Sequence, residues 1–173
     1  MKIRFGVLVL LFFLLSFNTC FAQTATSSST QEVNYTLPYP GLLPDSPLYF
    51  FRVLRDGIVG FLISDPLKKS EFDLLQADKR LNAGIYLVNK GETSLAFSTV
   101  SKAENYFDQA ITKLGEARAE GKDVTGMEGK LRDALKKHEQ ELKILAGKVN
   151  ANLKTSFDQE LKRITGFEQR LNQ

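Results

Sequence analysis

Apolar residues recur along most of this chain at the three-and-four spacing of helix faces, and no period-two alternation persists long enough to suggest a strand. The most regular run is Ala96, Val100, Ala103, Phe107, Ala110, Leu114 and Ala117, a heptad seam that predicts a helix over 93–120. Small and large residues alternate along it. A neighbouring helix can therefore approach at each alanine and interlock around Val100, Phe107 and Leu114. Gly121 closes this element. A second stripe runs through Met127, Leu131, Leu135, His138, Leu142, Leu145 and Val149 and continues through Leu153, Phe157, Leu161, Ile164, Phe167 and Leu171. The spacing permits one very long helix. Gly147, Asn150 and Asn152 mark a weak point, so two helices are expected, about 124–149 and 152–171, with a kink or turn near Asn150.

Upstream, Leu67, Leu74, Leu75, Leu81, Ile85 and Val88 form the inner stripe of a helix over 65–90. Asp65 caps it, Pro66 takes its first position and Gly91 ends it. Asp78 lies close to this stripe, flanked by Lys79 and Arg80. A buried ion pair or a ligand contact is open to it, but a partly solvated helix charge is the expected state. The first predicted helix covers about 47–63, with Ser46 as cap and Pro47 at its first position. Its polar side is narrow (Arg52, Arg55, Asp56), and Phe50, Phe51, Val53, Leu54, Ile58, Phe61, Leu62 and Ile63 cover the remainder. A helix this apolar is expected to be sandwiched between others. The alternative is a membrane-interface or partner-binding helix, disfavoured because such helices usually carry more basic residues. On that alternative, Phe50, Phe51, Ile58 and Phe61, with Asp78 and Arg80, form the candidate interaction surface.

The prolines among residues 37–49 hold that segment extended. It is expected to lie along the domain with Leu37, Tyr39, Leu42 and Leu43 inserted. Residues 23–36 are rich in Ser and Thr and read as a flexible tether. The fold class is all-α: a single domain of four to five helices packed as an elongated bundle over 37–173, preceded by that linker and by a secretion signal over 1–22.

The signal rests on Lys2 and Arg4, the apolar run Phe5–Phe17, and small residues at Cys20 and Ala22, which suit cleavage before Gln23. Two rivals stay open. One is an uncleaved anchor, against which Asn18 and Thr19 interrupt the apolar run early. The other is lipidation at Cys20, for which Phe17-Asn18-Thr19 is a poor lead-in. Cleavage would remove the only cysteine and so exclude a disulfide framework. It would also remove Lys2 and Arg4, leaving 21 of the 23 basic residues against 20 acidic ones. A chain so close to neutral argues for no nucleic-acid partner.

Candidate chemistry is sparse. His138 is the only histidine, set on an apolar stripe, where a packed or boundary role is the expected one. One His cannot build a pair of Glu-x-x-His iron sites or a bis-His haem, and a mature chain without thiols has little to offer structural zinc. No Gly-x-Ser-x-Gly elbow or Gly-rich phosphate loop is present. Glu116 and Glu120 lie at i,i+4 but are expected to face solvent. The expectation is therefore no enzyme, no catalytic residue, no cofactor and no metal.

Leu43-Pro44-Asp45-Ser46-Pro47-Leu48-Tyr49, Asp65-Pro66-Leu67-Lys68-Lys69-Ser70-Glu71-Phe72 and Ala77-Asp78-Lys79-Arg80-Leu81 resemble the family catalogued as domain of unknown function 5667, found in exported prokaryotic proteins. Lys102-Ala103-Glu104-Asn105-Tyr106 and Lys137-His138-Glu139 fit the later part of the same pattern. Lys79 departs from the acidic residue expected between Asp78 and Arg80. The resemblance implies a helical extracytoplasmic domain and supplies no catalytic residues. The functional expectation is an exported, non-enzymatic interaction or structural module with protein partners in the cell envelope. Membrane association is open to it through an uncleaved signal or the first helix. A chaperone-like or small-ligand-binding bundle, using Phe51, Phe61 and Tyr86 around a groove, is the alternative, and a carboxylate hydrolase comes last.

Overall fold

A computed structural model describes residues 33–172. The expected secretion signal, Cys20 and most of the expected tether lie outside the described residues. Five helices follow one another: α1 (Tyr49–Leu62), α2 (Pro66–Asn89), α3 (Thr93–Ala119), α4 (Thr125–Lys148) and α5 (Ala151–Leu171). No strand occurs among the described residues.

The helix ends follow local chemistry. Asp65 accepts from Lys68 N at 2.9 Å and Pro66 supplies the first position of α2, satisfying one orphan donor where the missing proline N–H costs nothing. Gly91 and Gly121 end α2 and α3 at φ +85° and +76°, a conformation that side chains with a Cβ resist. The weak point near Asn150 is a true break. Asn150 is extended, and its Oδ1 caps α5 by accepting from Leu153 N at 3.1 Å. The start of α1 differs from the expected one. Ser46 Oγ receives only a long contact from Leu48 N at 3.4 Å, and the helix begins at Tyr49.

Helices α2 to α5 form a four-helix bundle of two antiparallel hairpins, α2/α3 and α4/α5, with α4 beside α2 and α5 beside α3. Helix α2 meets α3 closely at Gly84, where an added Cβ would lie 2.3 Å from Val100 Cγ2. At the other end of this hairpin Ser70 Oγ donates to Ala110 O at 2.7 Å. The α3 seam packs as its spacing predicts: Ala96, Val100, Ala103, Phe107, Ala110, Leu114 and Ala117 are all buried. Phe107 stacks on Phe167 of α5 at 5.7 Å between ring centroids, and Phe97 meets Phe157 edge-on at 5.5 Å. On α2 the buried face is wider than one stripe. Leu87 is buried while Leu75 is exposed, because α2 packs against α3 and α4 at once.

The bundle core closes without α1, which among the helices touches only α2, and only slightly. The sandwiched position expected for α1 is therefore incorrect. Its inner line is Arg52, Asp56 and Gly60, with Gly60 close against the Phe72 ring.

Candidate functional site

The extended segment before α1, a strap along the bundle, links two regions of different chemistry. Tyr35, placed in the tether by composition, packs on the core, and its hydroxyl donates to Asp78 Oδ2 at 2.6 Å. Asn82 Nδ2 donates to Pro38 O at 2.8 Å, and Arg52 Nη1 to Leu42 O at 2.6 Å. Gly41, at φ +73°, makes the turn that places the Leu42 carbonyl there. Leu37 packs against the core, but Tyr39 and Leu42 are exposed, contrary to their expected insertion. The strap is held by backbone carbonyls instead of those apolar groups.

The first region is buried. His138, 0% exposed, sits between carboxylates of two other helices. Its Nδ1 is 2.9 Å from Glu104 Oε1 and its Nε2 is 3.1 Å from Asp78 Oδ1. Phe107 lies against the ring, 4.8 Å between centroids. Burial pushes the imidazole pKa down, but the Glu104 charge and the Asp78 and Glu104 hydrogen bonds outweigh it and hold it up at about 9. The group is thus an imidazolium donating from both nitrogens. Burial, then the Asp78 charge, raises the Tyr35 phenol far above its usual range. Glu104 Oε2 is buried without a partner.

Asp78 is accordingly a buried ion-pair member, and the solvated state expected of it is incorrect. It lies four residues after Leu74 and three before Leu81, on the seam itself. Glu104, four residues after Val100 and three before Phe107, joins the cluster although no motif marks it as a site residue. A charge on the apolar stripe of each of three helices was the legible signal. Arg80 is also interior: Nη1 donates to the Gln76 backbone and side-chain oxygens, and the guanidinium lies 4.1 Å from the Tyr106 ring centroid. Asp78 and Arg80 therefore do not share a surface with the α1 aromatics. His138 is closed to solvent, so this cluster orders the packing of α2, α3, α4 and the strap.

The second region is the outer side of α1. Phe50, Phe51, Leu54, Ile58, Phe61 and Leu62 fall within roughly a third of the helix circumference, and each is at least half exposed, Phe61 at 89%. Fully burying one such side chain is worth about 1.5–3 kcal/mol, so on the order of 5–10 kcal/mol of burial is left unused. Arg52 and Asp56 are turned the other way, while Arg55 stays largely exposed at the edge of the arc. Asp56 is buried, 3.6 Å from Arg52 Nε and 2.7 Å from Arg55 Nη2. Between α1 and the strap lies a cavity of about 460 Å³, lined by Tyr39, Pro40, Gly41, Leu42, Phe51, Arg52, Arg55 and Lys79. Three cations and no carboxylate line it. Phe51 borders it, whereas Phe61 and Tyr86 are not among its lining residues.

Among the described residues no helix is long and apolar enough to cross a membrane, and no group of three His, Cys, Asp or Glu could hold a metal ion. The fold and these regions define a helical-bundle domain with one unpartnered apolar helix. The profile of domain of unknown function 5667 matches residues 41–152, well over half of the chain, and the protein belongs to that family. The match spans α1 to α4, including Asp78, Glu104 and His138, and leaves out Tyr35 and nearly all of α5. No curated protein matches the chain, and no solved structure matches it.

Proposed function

We propose that this protein is a non-enzymatic interaction domain working outside the cytoplasm, with α1 as its docking element. The observation that carries this reading is the outward apolar arc of α1 on a bundle whose core is complete without it. Contiguous exposed apolar surface of this kind is typical of interaction sites. The N-terminal Lys2/Arg4 and Phe5–Phe17 pattern supports export. Replacing Phe50 and Phe61 by Ser tests the docking role. The variant is expected to keep the helical circular dichroism and melting temperature of the parent and to lose envelope crosslinks formed from α1. Unchanged crosslinking would refute it. Small-ligand binding is the second reading, favoured by the cationic cavity beside α1.

A further inference from the structure

The outward face of α1 and the cavity beside it differ in chemistry and lie side by side. One is apolar and rich in phenylalanine; the other is cationic. Phe51 belongs to both. The only carboxylate of α1, Asp56, is buried on the opposite side between two arginines. Asp45 and Asp65, the acids nearest in sequence on either side of α1, are paired with Lys90 and Lys122. Lys79, which faces the cavity, forms no ion pair among the described residues.

We infer that α1 docks on the surface of an anionic phospholipid bilayer, with its Phe and Leu side chains in the acyl boundary and Arg55, Lys79 and Arg52 around a lipid phosphate in the cavity. The inference rests on α1 being a docking element and names what it docks on. Charge complementarity selects a lipid surface: an apolar arc with no acid on it, bordered by cations, is the division of labour of a helix lying in a membrane interface. Each cation near an anionic leaflet adds to binding, and the effect fades within a Debye length. The 14 residues of α1 span roughly 21 Å, long enough to lie in the interface and too short to cross it. Basic residues were scarce in the α1 sequence alone. Lys79 comes from α2, so the count rises only when the fold brings the two helices together.

The test uses the full chain reconstituted with vesicles. Phe61→Cys, in a Cys20→Ser background, carries an environment-sensitive fluorophore at a position that is almost wholly exposed. Lys136→Cys on α4 serves as the control. On vesicles of phosphatidylglycerol and phosphatidylcholine the probe at position 61 is expected to shift to an apolar environment while that at 136 does not. On phosphatidylcholine alone the shift is expected to need at least about tenfold more lipid. Arg55→Glu with Lys79→Glu is expected to weaken the response to anionic vesicles at least about tenfold, since each cation near such a surface contributes about fivefold. Soluble glycerol phosphate is expected not to produce the shift. A probe at 61 that stays aqueous on anionic vesicles overturns the inference. So does an equal response to both vesicle types, or a concentration-dependent shift without vesicles, which would mark self-association. If the probe stays aqueous, a photocrosslinker at position 61 in intact cells separates the two failures. A protein adduct overturns the lipid surface and leaves α1 as a docking element, whereas no adduct removes both.

Discussion

The charge state of His138 can be tested cleanly because the chain has one histidine. The imidazole pKa is raised from 6.5 to about 9 in the folded protein, a gap worth about 3 kcal/mol at 1.36 kcal/mol per unit. A group whose folded pKa is raised contributes its full stabilisation below the unfolded pKa and loses it as pH rises through the folded one. Stability should therefore fall by about 3 kcal/mol between roughly pH 6 and pH 10, or roughly 10 °C in Tm. The Tyr35 phenol, held far above its usual range by burial and Asp78, does not titrate in that window. Replacing His138 by Gln leaves Glu104 and Asp78 buried without their cation. The expected cost is about 3–5 kcal/mol, and the His-linked loss of stability across this window should be absent from the variant, so that it appears as the pH dependence of the difference between parent and variant. Two assays suffice: urea unfolding followed by circular dichroism across the pH range, and the NMR titration of the lone imidazole. An imidazole midpoint at or below 6.5 would refute the reasoning, because burial would then outweigh the two carboxylates.

Further outcomes rest on the packing and the helix ends. Gly84→Ala sets a Cβ against Val100 Cγ2, and this overpacking of about 1–3 kcal/mol should exceed the helix-propensity gain of about 1 kcal/mol. Gly129→Ala on α4 meets nothing within 4 Å and should stabilise by about 0.5–1 kcal/mol, so urea midpoints must move in opposite directions. Asn150→Ala removes the α5 cap and should cost about 1 kcal/mol, visible as faster amide exchange at Leu153. Tyr35→Phe deletes the donor to Asp78 and should cost about 1.5–3 kcal/mol by urea unfolding, with earlier proteolysis within residues 33–42.

Much of the bundle was legible because its signals are local. The α3 seam, the Asp65-Pro66 start of α2, the glycines at 91 and 121 and the break at Asn150 depend on spacing, cap chemistry and φ, all carried by neighbouring residues. The buried cluster was only half legible. His138 on its stripe was evident, and the same spacing marks Asp78 and Glu104. Yet whether a stripe charge meets water or an opposite charge depends on which helix lies opposite, and the three come from positions 26 and 34 residues apart in the chain. The anchoring of the strap is illegible in the sequence for the same reason: Leu42 contributes its carbonyl, which no side-chain pattern reveals.

Helix α1 separates what the sequence alone determined from what only the tertiary structure decided. Its helicity and the presence of a broad apolar face were set by residue order. The direction of that face was not. The other four helices bury their stripes against one another and leave no opening for a fifth, so the arc carrying Phe50 and Phe61 points outward. The narrow arc carrying Arg52 and Asp56 turns inward, where the Leu42 carbonyl and the close approach at Gly60 receive it. Amphipathicity states that a helix has two faces. Only the complete set of partners decides which of them meets solvent.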